Sequence, residues 1–217
     1  MKKIAFALSI LFFSTYANAH IQHYNKLNVI KFDIFRNDSL VGYHNIIFSR
    51  SEGKVIVKNE INFDIKKLGI SFYKYTSEGT ETYGEDGSLL SFISKTSDNN
   101  KIKICNIQKQ SNNYKIEGTQ FKGDFDKDFV ISSYWNHEIL KKNIQVSGIS
   151  CSIRNQKVSF VKNEIIDVQG ETTETLLFDI QGDNLNTQVW YRKKDMAIVK
   201  QVLNRQGVWR YEIRELN

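Results

Sequence analysis

Histidines, cysteines, paired acids and an excess of aromatic rings are the residues in this chain whose types could do chemistry. If the chain is cleaved after Ala19, His20 presents its α-amine and its imidazole together, the start of a copper site when a second histidine approaches. His23, His44 and His137 are the residues that could complete it. No methionine-rich or cysteine ligands accompany them, so no metal or other cofactor is expected and His20 remains the one metal candidate. His137 lies near Ser132, Ser133 and Glu138, which suggests a hydrolase triad. Against that, neighbouring residues on a helix diverge, and no G-x-S-x-G surrounds either serine. Glu78 with Glu81, and Glu171 with Glu174, have the composition of glycosidase carboxylate pairs. Residues three apart on a strand face opposite ways, so cross-strand pairing with Lys or Arg is the expectation instead.

The rings are a better lead. Tyr73, Tyr75, Tyr134, Trp135, Trp190 and Trp209, with His137, are the candidate ligand-binding residues, because a curved sheet lined by such side chains makes a hollow suited to an amphiphile. Ordinary core packing is the competing reading of the same rings. Cys105 and Cys151 are the only cysteines. With no C-x-x-C they are expected to form a disulfide in an oxidising compartment, not a redox centre.

These residues must be positioned by strands. Val208 to Leu216 sets Trp209, Tyr211 and Ile213 on one face against Arg210, Glu212 and Arg214 on the other, the period of two of a half-wet strand. Lys54 to Ile65 does the same with Val55, Val57, Ile61, Phe63 and Ile65. The chain contains no proline, so Asn37-Asp38, Asp98-Asn99-Asn100, Gly182-Asp183-Asn184 and similar clusters supply the turns. Lys122 to Lys127 reads as a loop, and Arg154-Asn155-Gln156 as a turn between two strands. One short helix is expected around residues 136–142, with Asn136 as its cap. The fold class is therefore all-β, an antiparallel meander of roughly a dozen strands forming a curved sheet or barrel, its concave side plugged or flanked by that helix.

Lys2 and Lys3, the apolar run Ile4 to Phe13 and Ala17-Asn18-Ala19 read as a signal peptide over residues 1–19. Residues 20–217 are then a single β-rich domain, and a periplasmic location is expected. No later stretch reaches the roughly 20 apolar residues of a membrane-spanning helix. The formal charge of +6 falls to +4 without Lys2 and Lys3, and the basic residues are dispersed, which argues against nucleic acid as a partner.

SSYWNHEIL (Ser132 to Leu140), preceded by LGISFYKYTSEGTETYGEDGSL (Leu68 to Leu89) and followed by VWYRKKDMAIVKQV (Val189 to Val202), resembles a family of secreted bacterial proteins known as a domain of unknown function. In such proteins an aromatic run leads into acidic and hydroxyl residues, similar to Phe72, Tyr73, Tyr75, Glu78, Thr80 and Glu81 here. The resemblance implies an all-β envelope protein and transfers no catalytic residue. The expectation is thus a periplasmic β-barrel or half-barrel that binds a lipid, another amphiphile or an envelope protein in its concave face. The alternatives are an enzyme, either a hydrolase using His137 or a copper protein using His20, and a purely structural envelope protein; the residues favour a non-enzyme.

Overall fold

A computed structural model describes residues 24–217. The expected signal peptide, His20 and His23 lie outside the described residues. The first half of the chain forms β1 (Val29–Arg36), β2 (Ser39–Ser51), β3 (Lys54–Lys67), β4 (Ile70–Tyr83), β5 (Leu89–Asp98), β6 (Lys101–Lys109), β7 (Tyr114–Gly118) and β8 (Lys122–Phe125). After β9 (Val130–Ile131) and a single 3-10 turn (His137–Leu140) come β10 (Ile144–Val146), β11 (Ile153–Val168), β12 (Glu171–Gly182), β13 (Leu185–Arg192), β14 (Ile198–Asn204) and β15 (Val208–Leu216). Among the described residues no helix is long and apolar enough to cross a membrane.

All fifteen strands belong to one curved sheet in the order β8 through β1, then β15 back through β9. The expected meander is therefore what forms, with two additions. The first and last strands pair with each other at the centre, Phe32 opposite Ile213, and β9 pairs with β10 in parallel, the others running antiparallel. Most hairpins turn where expected. Asn37-Asp38 and Asn99-Asn100 both adopt positive φ, which these residues tolerate better than other non-glycine residues because their short side chains bond locally.

Three local expectations are corrected. Residues 122–127 include the edge strand β8, its Phe125 opposite Tyr114; it is polar because an edge faces water, which also discourages pairing with another chain. Arg154, Asn155 and Gln156 lie inside β11, where the strand passes from pairing with β10 to pairing with β12. The break falls instead at residues 147–152, where Cys151 takes φ 57°. Over residues 136–142 the helix is one 3-10 turn, with the Asn136 side chain accepting from the Glu138 N–H at 3.0 Å. Gln156 explains its early end. Its amide donates to the Ile139 and Lys142 carbonyls at 2.8 and 2.7 Å, occupying acceptors at the end of the turn.

The sheet does not close by a strand ladder. Instead Cys105 of β6 is disulfide-bonded to Cys151 before β11, joining the two ends of the half-barrel. Beside the bond the Gln120 N–H donates to the Ser150 carbonyl at 2.9 Å, and the Ser94 hydroxyl to the Gly148 carbonyl. Beyond its contact with β10, β11 leaves one side of its ladder open. A bulge between Phe160 and Lys162 interrupts that edge, which is how exposed strands are kept from pairing with another chain.

The principal core forms where residues 132–140 cross the concave side. Trp135 is fully buried, with its ring edge-on to Tyr24, Phe48 and Tyr83 at centroid distances of 5.3, 5.1 and 5.7 Å. The Tyr24 hydroxyl lies 2.5 Å from His137 Nδ1 and accepts from the His137 N–H at 3.0 Å. This tethers the residues before β1 to the crossing segment.

The disulfide spans 46 residues of sequence, so by loop entropy Cys105→Ser/Cys151→Ser should lower stability by about 4 kcal/mol in urea unfolding. A Cβ on Gly118 would sit 2.3 Å from Cys151 Cβ. Gly118→Ala should therefore cost about 1–3 kcal/mol with the disulfide still formed, read by the same unfolding curves and a thiol titration.

Candidate functional site

Above the floor that Ser132, Ser133 and Tyr134 of the crossing segment form, the curvature of the sheet leaves a cavity of about 490 Å³, within the size range of small-molecule sites. One wall is aromatic. Phe63 and Tyr75 face each other across the β3–β4 ladder and stack with centroids 4.7 Å apart, while Tyr73 and Trp209 flank Phe63 at 5.9 and 4.9 Å. The Arg36 guanidinium lies over Trp209 at 5.4 Å, a cation–π contact that follows from their pairing across β1 and β15.

A polar chain runs through the deep end on three successive strands. His44 Nε2 lies 3.4 Å from Asn59 Oδ1, and Asn59 Nδ2 donates to Glu81 Oε1 at 3.0 Å. Glu81 also accepts from Trp135 Nε1 at 3.0 Å and from the Tyr83 hydroxyl at 2.5 Å. The Ser133 hydroxyl is enclosed close enough to favour the ionised carboxyl, without hydrogen-bond geometry to any described residue. Burial raises the Glu81 pKa, opposed by the hydrogen bonds it accepts. The order of donors also assigns the histidine tautomer. Because Asn59 gives its N–H to Glu81, its oxygen faces His44 and Nε2 must carry the proton, leaving Nδ1 as an acceptor. Burial pushes the His44 pKa down to about 4, so the ring is neutral near pH 7 and too weak a base for efficient proton abstraction there.

Of the other cavity hydroxyls, Ser77 pairs with Thr96 at 2.8 Å and Ser94 with the Gly148 carbonyl. Positive charge also lines the cavity. Arg154 is half-buried and has no carboxylate partner among the described residues. Its pKa is lowered by burial, and further by the charge of Arg205, which lines the same cavity.

Of the residues singled out from the sequence, Tyr73, Tyr75, Tyr134 and Trp209 line the cavity. Burial pushes the Tyr134 pKa up to about 12. Trp135, fully buried, does not line the cavity; it supports the floor that Ser132, Ser133 and Tyr134 of the same segment form. His137 lies behind that floor, bonded to Tyr24, and Glu138 reaches Lys141 at 3.2 Å. Trp190 alternates with the inward residues Val189 and Tyr191 and so sits on the opposite face, with Leu177 and Val199, donating to Glu164 at 2.7 Å. Cys105 and Cys151 are bonded as expected. Glu78 and Glu81 do face opposite ways, the first exposed and the second buried. Glu174 has the expected cross-strand lysine, Lys193 at 3.0 Å, whereas Glu81 has neutral donors in place of a cation. No group of three or more metal-ligating side chains occurs among the described residues.

Asn59, Glu81 and Arg154 escaped the sequence reading as a cavity set, and His44 entered it only as a possible copper ligand. The signal was parity. Asn59 interrupts the inward series Val57, Ile61, Phe63, and Glu81 shares the inward parity of Tyr75 and Tyr83; a polar residue at an apolar position is the informative exception.

Glu81→Ala would strand the buried Trp135 and Tyr83 donors and the half-buried Asn59 amide, and should cost about 3 kcal/mol in urea unfolding. Glu81→Gln keeps an acceptor for Asn59 and Trp135 and should retain the fold. The two titrations have opposite signs. Glu81 contributes stability that is complete below its ordinary 4.5 and lost as pH rises through its raised folded value. His44 contributes stability that is present above its ordinary 6.5 and lost as pH falls toward about 4, worth about 3 kcal/mol. In unfolding measured across that range, Glu81→Gln should therefore remove a loss on the alkaline side, and His44→Gln a loss on the acid side.

Comparison with curated proteins finds no match. Residues 32–214 match a family described as a domain of unknown function (DUF6134), a span that takes in the aromatic wall, the polar chain and both cysteines. The chain belongs to that family.

Proposed function

We propose that this protein is an exported, non-enzymatic binding module whose half-barrel holds an amphiphile with an anionic group. The observation that carries the reading is Arg154, a half-buried cation that lines the cavity beside Arg205 without a carboxylate partner among the described residues. A guanidinium in that setting gains from an anion with two acceptor oxygens, which its planar fork matches. The aromatic wall and Ile61, Ile65 and Leu203 supply the apolar surface for the rest of the molecule. The Cys105–Cys151 bond supports an oxidising compartment such as the periplasm.

Native mass spectrometry of protein exported to and purified from a bacterial periplasm should show an adduct that is lost on denaturation. The denatured mass should correspond to a chain starting at His20 with two thiol hydrogens missing. Titration with palmitate should then give saturable binding that weakens about 10- to 100-fold in Arg154→Gln, the loss expected for one charged hydrogen-bonding group, with the thermal midpoint unchanged. A bare mass together with no binding of palmitate or of lysophosphatidylglycerol would sink the proposal.

A further inference from the structure

The hairpin between β3 and β4 reaches past the rest of the sheet. Pairing of β2 with β3 stops at Gly42 opposite Phe63, and pairing of β4 with β5 stops at Tyr75 opposite Asp98. The β3–β4 ladder continues alone to Lys67 opposite Ile70. Four residues of β3 and five of β4, with a bulge between them, thus project as a two-stranded ribbon about 13 Å long, at about 3.3 Å per residue. Its end is apolar. Leu68, Ile70 and Phe72 are 94%, 74% and 76% exposed, the three largest exposures among the large hydrophobic side chains described.

The turn itself is unusual for this chain. Five two-residue hairpin turns among the described residues place both central residues at positive φ: Asn37-Asp38, Glu52-Gly53, Leu68-Gly69, Asn99-Asn100 and Gln169-Gly170. Four put a polar side chain at the first central position, and asparagine suits it best. Only this one puts leucine there, at φ 52° with its side chain in solvent. Folding alone does not favour that choice, since leucine is strained in this backbone region and gains nothing from being exposed.

Charge surrounds the apolar end. Lys66, Lys67 and Lys74 are exposed on the ribbon; Lys66 is 3.9 Å from Asp64, and Lys67 and Lys74 have no carboxylate within ion-pair distance among the described residues. The ribbon also adjoins the cavity, since Ile65, Phe72 and Tyr73 line it together with Arg36 and Arg205. Apolar side chains at a tip with lysines behind them match a bilayer surface, where the first enter the acyl boundary and the second meet anionic headgroups.

We propose that the β3–β4 tip docks the protein onto an anionic lipid bilayer, with Leu68, Ile70 and Phe72 inserted and Lys66, Lys67 and Lys74 against the headgroups. In that position the cavity entrance near Phe72 faces the membrane. This docking is a property of the surface and does not require the cavity to hold a ligand.

The test is flotation with vesicles of phosphatidylethanolamine and phosphatidylglycerol, against vesicles of phosphatidylcholine alone. The purified protein should float with the anionic vesicles and be released as salt is raised. Leu68→Asn/Ile70→Asn should bind at least about tenfold more weakly, while its thermal midpoint is unchanged or higher, because asparagine suits the turn. Phe160→Asn, at an exposed position on the far strand β11, should float as the unmodified protein does, and so should Arg154→Gln, which separates docking from ligand binding. Equal binding to both vesicle types, or full binding by the tip variant, would overturn the proposal. So would a dimer, seen by sedimentation without vesicles, that the tip variant dissociates; the tip would then meet a second copy of the chain.

Discussion

The burial of Trp135 is the constraint on which the cavity depends. Its ring occupies the space between Tyr24, Phe48 and Tyr83, and its single polar atom would be stranded there without an acceptor. Glu81 provides that acceptor from the sheet wall. The same hydrogen bond therefore fixes the crossing segment to β4 and places a carboxyl group at the deep end of the hollow. Removing bulk at Trp135 would do more than weaken a core, because the floor separating the packed half of the concave side from the open half would be lost. The aromatic count of the chain has two causes in consequence: some rings fill this floor, and others, such as Tyr73, Tyr75 and Trp209, line what the floor leaves open.

The division between legible and illegible features follows from how each is encoded. Strand alternation and turn residues are local, so β1 to β7 and β12 to β15 could be read from residues such as Val55, Val57, Ile61 and Phe63, or Asn99-Asn100. The short helix is legible in position but amounts to one 3-10 turn, because Gln156, distant in sequence, takes up the carbonyls that would continue it. Polar edge and crossover segments misled, since Lys122 to Phe125 and Arg154 to Gln156 are polar for positional reasons and not because they are turns.

The candidate site was half visible. Tyr73, Tyr75, Tyr134 and Trp209 could be found as rings in excess of core need. Trp135, His137 and Trp190 could not be separated from them, because burial behind the floor or on the outer face depends on which segment crosses the sheet. His44, Asn59 and Glu81 form one chain only because β2, β3 and β4 are neighbours in a particular register. Arg154 carries meaning only through what does not accompany it. A cation without a partner is a property of three-dimensional surroundings, and no local pattern announces it.

The pairing of β1 with β15 has a consequence for how the molecule comes into being. Ile30 meets Leu216 across the middle of the sheet, so the central ladder joins residues separated by nearly the whole chain. Until β15 is in place, β1 lacks one neighbour and β14 another, and the two halves cannot share a continuous sheet. Contacts of such long sequence separation carry a large loop-closure cost before they return any stabilisation, which slows folding. Completion of the sheet's centre therefore depends on β15, the strand that β1 and β14 share as neighbour.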